Sequence, residues 1–169
     1  MRKSIYFEKK DKNNFEKKIK ILIIGGSQGA DFFQKNLKET ILKLSVKVEL
    51  EIMHQTNDKN KENLKSFYEK NKIKYELFNF KKNLFKNANE INFCITRAGA
   101  SSLAELVQIN LPFVAIPFPY AKDNHQYYNA LFYKKLNCCW IIEQNSNISE
   151  DLFNLIYSFL KTKMILMRR

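Results

Sequence analysis

Residues 20–30 read KILIIGGSQGA, and this stretch decides the fold because an apolar run ends directly in a glycine-rich turn. The run from Lys20 to Ile24 is typical of a strand in a buried parallel sheet. The apolar residues from Phe33 to Leu44 recur at spacings of four, four and three, which predicts a helix that packs against that strand. The glycines permit a tight turn and a close approach of backbone to a ligand. By itself the turn fits both an anion-binding loop and a purely structural connection, since it matches neither the dinucleotide fingerprint nor a P-loop.

The alternation of strand and helix continues to the end of the chain. Strands are predicted at Lys20–Ile24, Val46–Met53, Lys74–Phe78, Ile91–Thr96, Phe113–Ile116 and Cys139–Ile142. Helices are predicted at Phe33–Leu44, around Leu64–Tyr68, and at Leu84–Asn89, Ser102–Ile109, Asn124–Leu136 and Ser149–Lys161. This pattern predicts an α/β, Rossmann-like, doubly wound parallel sheet of about six strands, which binds ligands outside the carboxyl ends of its strands.

The composition is that of one folded domain. The chain has 169 residues, 45% of them hydrophobic, and residues 1–19 are expected to be a charged linker ahead of a domain at 20–169. The net charge of +12 comes from scattered lysines rather than a stripe of arginines among aromatics, so specific nucleic-acid binding is not predicted. No run of apolar residues is long enough to cross a membrane, so a soluble or peripheral protein is expected.

A second turn of small residues follows the fourth predicted strand. Residues 97–102 read RAGASS, and Glu105 lies one helical turn further on. A helix N-terminus there presents free amides that could hold a diphosphate. Ser102 and Glu105 also fit a capping box, in which the glutamate ties back the first turn. Spacing alone favours the cap, and the alternative is that Glu105 binds a ribose hydroxyl.

Polar side chains gather after the fifth predicted strand. Residues 117–126 read PFPYAKDNHQ, and Asn129 follows one turn later. Asp123, Gln126 and Asn129 carry donors and acceptors suited to pyranose hydroxyls. Asp123 or Asn124 fits an N-cap equally well. Both interpretations therefore stay open.

The histidines and cysteines do not indicate a metal centre. The motif HQT at 54–56 follows the second strand and is expected to be structural or to line the rim of a cleft. His125 stands apart from it, and Cys94, Cys138 and Cys139 lack ligand spacing. The odd number of cysteines, two of them adjacent, favours reduced structural thiols.

Four motifs in this order closely resemble the C-terminal, donor-binding domain of the bacterial MurG family of N-acetylglucosaminyltransferases. They are GGSQGA at 25–30, HQT at 54–56, TRAGASSLAE at 96–105 and PFPYAKDNHQ at 117–126, and the resemblance spans residues 20–145. It implies one half of a GT-B fold. It also implies the family reaction, in which N-acetylglucosamine passes from UDP to the undecaprenyl-linked muramyl-pentapeptide, converting lipid I to lipid II with inversion and without a metal or other cofactor.

The resemblance implies a UDP-N-acetylglucosamine site composed of Ser27, Gln28, Lys81, Ala100, Ser101, Ser102, Glu105, His125, Gln126, Asn129 and Arg2. Ser27 and Gln28 would lie beside the sugar and the diphosphate, and residues 100–102 would present a helix N-terminus to the phosphates. Glu105 would hold the ribose hydroxyls, which overturns the preference for the cap, although both roles can coexist. Arg2 matches a family arginine in the interdomain linker.

The remaining residues of the implied site contact the two ends of the donor. His125, Gln126 and Asn129 would bind the hydroxyls of N-acetylglucosamine. The loop at Phe80 and Lys81 would lie near the uracil.

The resemblance also implies partners. The family's N-terminal domain, which is absent from this sequence, supplies the acceptor site, the membrane-docking surface and the expected catalytic base, so the chain alone is expected to be inactive. Asn57 stands where the family has a glycine. The expected location is the cytoplasm, at the inner face of the bacterial membrane. The alternatives are a donor-binding subunit of another split UDP-sugar transferase and a non-catalytic module that binds anions or lipid. A nicotinamide-binding domain fits least, because the glycine spacing differs.

Overall fold

The computed structural model describes residues 18–86 and 88–167, including their side chains except at 27–30 and 164–167. Its strands are β1 Lys18–Ile24, β2 Glu49–Gln55, β3 Lys74–Phe78, β4 Phe93–Thr96, β5 Phe113–Ala115 and β6 Trp140–Ile141. Its α-helices are α1 Gly26–Ser45, α2 Asp58–Lys70, α3 Ala100–Gln108, α4 His125–Lys135 and α5 Ile148–Met167. Short 3-10 helices occur at Ala88–Glu90 and Lys122–Asn124.

The six described strands form one parallel sheet in the order β3-β2-β1-β4-β5-β6. The chain moves outward from β1 to β3 and then crosses back to place β4 on the other side of β1. The direction of winding therefore reverses between β1 and β4, which is the position where doubly wound sheets bind ligands. The predicted fold class is confirmed.

Alternate side chains of the strands enter two separate cores. On one face Ile21 and Ile23 pack against apolar residues of α1, α2 and α5, including Phe33 and Ile156. On the other face Leu22 packs against α3, α4 and the segment that precedes β4. Because both faces are covered, the central strands are almost continuously apolar, as parallel sheets require.

Some predicted boundaries need correction. The helix predicted at Leu84–Asn89 is wrong, because residues 84–86 lie in a turn and Ala88–Glu90 form a 3-10 helix. Asn83 adopts a positive φ of 59°, which interrupts regular helix geometry there. The first strand begins at Lys18, inside the predicted linker, and the first helix begins at Gly26 rather than Phe33.

Within residues 18–86 and 88–167, no helix combines the length and the apolar character needed to cross a membrane.

Candidate functional site

The loops after β1 and β4 meet at the point where the winding of the sheet reverses. These strands are neighbours, with Ile24 opposite Thr96, and the Arg97 amide donates a hydrogen bond to the Ile24 carbonyl over 3.1 Å. The N-termini of α1 and α3 follow these loops directly. The backbone N–H groups at both helix starts therefore lie at the same edge of the sheet, where they favour an anion.

The glycine turn after β1 is fixed by a side chain of β2. Gly26 has a φ of +61°, a conformation that glycine adopts without strain. Its amide donates to Oε1 of Gln55 over 3.0 Å, and Nε2 of Gln55 donates to the Asn79 carbonyl over 3.1 Å. Gln55 thus joins the loops after β1, β2 and β3. Ser27 and Gln28 lie in the first turn of α1, and their side chains are outside the described part of the structure.

The start of α3 is open. Gly99 is its N-cap, so the first-turn amides have no capping side chain, and Ala100 and Ser101 are exposed. Ser102 is the third helical residue rather than the cap, and the predicted capping box with Glu105 is therefore wrong. The Glu105 side chain is exposed and makes no hydrogen bond or ion pair within the described residues. Its carboxylate is free to accept hydrogen bonds from a ligand.

The loop after β5 is held to the start of α3 by two amide side chains. Oε1 of Gln126 accepts from the Ala98 amide over 3.3 Å and from the Phe118 amide over 3.0 Å. Nδ2 of Asn129 donates to the Ala98 carbonyl over 3.2 Å. Both predicted sugar-binding residues therefore shape the site through the backbone, and Nε2 of Gln126 and Oδ1 of Asn129 have no bond within the described residues.

The entry to α4 contains two left-handed residues. Asp123 and Asn124 have φ values of 51° and 52°, and neither caps α4 through its side chain in the described structure. Asn124 is the N-cap residue of α4, which agrees in position with one of the two predicted caps, but its side chain makes no capping hydrogen bond. His125 begins α4, is exposed, and has its Nδ1 2.8 Å from the Lys122 carbonyl oxygen. The exposed His125 therefore follows directly on a kink in the loop after β5.

Arg97 is the residue whose role the sequence analysis missed. Its side chain is only 7% exposed and donates to the carbonyls of Ile116 and Pro117 over 3.1 and 3.2 Å. It also donates to Oε1 of Gln144 over 3.0 Å. Burial lowers its pKa to about 10, so the guanidinium stays charged at neutral pH. The sequence feature that could have indicated this role is an arginine directly after the apolar strand β4.

The HQT motif is structural, which is one of the two roles predicted for it. His54 is fully buried, and its Nδ1 lies 2.8 Å from the Tyr68 hydroxyl. Burial lowers the pKa of His54 to about 3, so the imidazole is neutral. The Thr56 amide donates to the Phe78 carbonyl over 2.8 Å, which continues the pairing of β2 with β3.

Lys81 lies on the second face of the sheet, beside the segment that follows β3. It forms an ion pair with Glu76 and lines a cavity of about 310 Å³ together with Lys20, Met53 and Leu84. Phe80 next to it is 84% exposed. A second cavity of about 520 Å³ lies between α4, β6 and α5. Neither of these two cavities includes the helix starts at Gly26 and Gly99.

Three comparisons with known proteins found relatives of this chain. The family model described as glycosyltransferase family 28 C-terminal domain matches residues 20–168. A Pelagibacter ubique (strain HTCC1062) protein named "UDP-N-acetylglucosamine--N-acetylmuramyl-(pentapeptide) pyrophosphoryl-undecaprenol N-acetylglucosamine transferase" is 43% identical over 163 residues, covering 96% of this chain and 46% of that protein. A protein of the same name from Helicobacter pylori (strain G27) is 38% identical over 138 residues, covering 80% of this chain and 39% of that protein.

The same likeness extends to a solved structure. The crystal structure of MurG from Acinetobacter baumannii matches with a TM-score of 0.77 and 28% identity, covering 92% of this chain and 48% of that chain. The chain spans less than half the length of each of these three relatives.

Proposed function

The chain belongs to the glycosyltransferase family 28 C-terminal domain family, and from this premise we propose that it binds UDP-N-acetylglucosamine at the carboxyl ends of β1, β4 and β5. One arrangement carries the proposal. Two helix N-termini face the same edge of the sheet, and the carboxylate of Glu105, which has no partner among the described residues, lies in the second turn of α3. The amides suit a diphosphate, and the carboxylate suits the hydroxyls of a ribose.

The proposed contacts can be assigned to the successive groups of the donor molecule. Ser27 and Gln28 bind beside the diphosphate and the sugar, and residues 100–102 donate backbone N–H groups to the phosphates. Arg2, outside the described residues, is proposed to lie at the junction with a further domain. Glu105 accepts from the ribose, and the positive ends of both helix dipoles stabilise the departing UDP.

At the ends of the donor, His125 is proposed to contact the sugar directly. Gln126 and Asn129 use their remaining donor and acceptor groups on the sugar hydroxyls while they hold the Ala98 backbone in place. Lys81 and the exposed Phe80 lie near the uracil.

The curated relatives are named for transfer of N-acetylglucosamine to N-acetylmuramyl-(pentapeptide) pyrophosphoryl-undecaprenol, and the proposed reaction starts from that name. N-acetylglucosamine is transferred, with inversion, to an undecaprenyl-linked muramyl-pentapeptide, and lipid I becomes lipid II in peptidoglycan synthesis. The acceptor site and the catalytic base are proposed to come from a separate domain or partner chain, because the relatives are more than twice as long as the stretch they share with this chain.

Titration calorimetry of the chain with UDP-N-acetylglucosamine tests the donor site. Loss of the charge-assisted bonds of Glu105 in Glu105→Ala should raise Kd at least about 10-fold, since each such bond contributes about 1.5–3 kcal/mol. Glu62→Ala, which removes another exposed helical glutamate on α2, is the matched control and should bind as the wild type does. A folded chain that does not bind the nucleotide would contradict the proposal.

The sugar epimer separates this function from another UDP-sugar transferase. UDP-N-acetylgalactosamine should bind more weakly than UDP-N-acetylglucosamine, because the polar groups at His125, Gln126 and Asn129 face one configuration of the hydroxyls. Tighter binding of the epimer would favour the alternative donor. Salt-dependent binding to anionic polymers without saturable nucleotide binding would favour a non-catalytic module.

We also propose that the chain works at the inner face of the bacterial membrane. The net charge of +12 attracts anionic lipid, and an exposed apolar stripe at spacings of four is formed by Tyr128 and Phe132 on α4 and by Leu136 directly after it. Cosedimentation with vesicles containing phosphatidylglycerol should exceed that with phosphatidylcholine alone and should fall in Phe132→Ser. Val46→Ser, which removes an apolar side chain exposed at the end of α1, is the control.

A further inference from the structure

The buried guanidinium of Arg97 joins the elements that surround the proposed donor site. Its two carbonyl acceptors belong to the loop after β5, and Gln144 belongs to the loop after β6. The guanidinium carbon also lies 4.6 Å from the ring centre of Phe32 and 5.5 Å from that of Phe118. Arg97 therefore contacts α1 and two further loops at the strand-end edge.

The positive charge of Arg97 has no carboxylate partner within the described residues. Its contacts are carbonyl oxygens, one side-chain amide and aromatic rings, and its buried Nε has no hydrogen-bond partner there. The carboxylates next to its contacts are both exposed: Asp31 precedes Phe32 and accepts from two asparagines, and Glu143 precedes Gln144. None of its contacts is titratable. Buried charges are normally paired, so an unpaired one indicates a missing anion.

We propose that Arg97 is a positioning residue whose charge is balanced by the diphosphate of the bound nucleotide rather than by a carboxylate of the chain. The inference rests on the proposed function. Arg97 precedes the α3 N-cap, Gly99, by only two residues, and its amide is bonded to the end of β1. A diphosphate held by the starts of α1 and α3 would therefore lie near this charge without touching it.

The size of the effect follows from the separation of the charges. Two unit charges about 10 Å apart at an effective dielectric constant of about 20 attract strongly enough to change a dissociation constant by roughly 10-fold, which is about 1.4 kcal/mol. The effect acts on the phosphates and not on the nucleoside. Loss of the charge should therefore raise the dissociation constant of UDP but not that of uridine, whereas a general loosening of the loops should raise both.

The test is to measure the dissociation constants of UDP and uridine, by calorimetry or ligand-detected NMR, for the full chain and for Arg97→Gln. UDP should bind about 10-fold more weakly to the variant, and uridine less than about 2-fold more weakly. Lys47→Gln removes the same charge from an exposed position beyond the end of α1, at the opposite edge of the sheet, and should leave both constants unchanged.

If Arg97→Gln does not fold, Arg97→Lys provides a second test of the same inference. Burial lowers the pKa of a lysine at this position, so the affinity of Arg97→Lys for UDP, divided by the wild-type affinity at the same pH, should fall as pH rises from 7 to 9. The same ratio for uridine should stay constant, because the titration of the ligand itself is common to both proteins. The wild-type arginine, with a pKa of about 10, stays largely charged over that range.

Two results would overturn the inference while leaving the proposed function intact. One is unchanged UDP affinity in Arg97→Gln, and the other is equal weakening of UDP and uridine in both variants. A wild-type chain that binds neither compound would overturn the proposed function itself.

Discussion

Gln126 holds two loops together through one carbonyl oxygen. That oxygen accepts from the backbone amides of Ala98 and Phe118, which belong to the loops after β4 and β5. In Gln126→Ala both partly buried amides lose their acceptor, so the free energy of unfolding should fall by about 2 kcal/mol. Urea denaturation measures this change. Gln108→Ala, at an exposed position on α3, should alter the stability by less than about 0.5 kcal/mol.

The same variant separates the two roles of Gln126. If Gln126→Ala is as stable as the wild type but binds UDP-N-acetylglucosamine more weakly, then the side chain acts on the sugar and its bonds to the loops contribute little. If stability falls as expected, a loss of donor affinity follows from the displaced loops as well as from the lost sugar contact.

At the scale of single residues, the sequence predicted where polar groups lie but not which of them are already bonded. The open carboxylate of Glu105 could not be inferred, because several small residues precede it and the first helical residue was ambiguous. One of the two partners of Gln126, and the partner of Asn129, lie about 30 positions away, at Ala98. Arg97 received no role because its unpaired charge is visible only when the surrounding chain is folded.

The turn between β1 and α1 depends on the conformation of one glycine. Gly26 has a φ of +61°, and a Cβ there would meet no atom within 4 Å, so the cost of a side chain is conformational rather than steric. Gly26→Ala should lower the free energy of unfolding by about 1–2 kcal/mol. Thermal or urea unfolding checks this value.

Gly99 provides the matched control for Gly26. It has a φ of −70°, and an added Cβ would make an ordinary contact of 3.9 Å with Oγ of Ser102. Gly99→Ala carries no penalty for a positive φ and loses only the advantage of glycine over alanine at an N-cap, about 0.5–1 kcal/mol, which is less than the loss expected for Gly26→Ala. Equal losses in both variants would show that the positive φ of Gly26 is not what makes glycine necessary there.

At the scale of elements, the alternation of apolar runs predicted every strand, while boundaries depended on local chemistry. Helix α1 begins at Gly26 because the glycine turn feeds directly into it, although its apolar stripe starts only at Phe33. The segment at 84–89 has apolar residues, but Asn83 directly before it has a positive φ, which interrupts helix geometry at its start. The spacing of apolar residues indicates which side chains pack against the sheet, but it does not indicate where a turn ends and a helix begins.

At the scale of the whole molecule, the order of the strands was not predictable from the alternation alone. Strand–helix repeats require a parallel sheet, but the crossover from β3 to the far side of β1 depends on which faces the helices cover. That crossover brings the loops after β1 and β4 together, and motifs about 70 residues apart in sequence thus form one edge.

The buried histidine makes the stability of the whole chain depend on pH. His54 is neutral in the folded state because burial lowers its pKa to about 3, whereas an unfolded histidine titrates near 6.5. Between these values the unfolded state binds more protons, so stability is highest above pH 6.5 and falls as pH falls towards 3. Glu51 has a pKa of about 2 in the folded chain, whereas an ordinary carboxyl has a pKa near 4.5. Its contribution to the stability is therefore lost only as pH falls from about 4.5 towards 2.

The free energy of unfolding should therefore fall by about 2 kcal/mol between pH 7 and pH 5, a window in which the histidine acts without Glu51. Urea denaturation at several pH values measures the slope, and His54→Gln should abolish it because no proton is taken up on unfolding at that position. His125→Gln removes the exposed histidine at the start of α4 and should keep the wild-type slope. A wild-type stability that is constant from pH 7 to pH 5, or a slope that persists in His54→Gln, would show that the buried imidazole does not set the acid response of the fold.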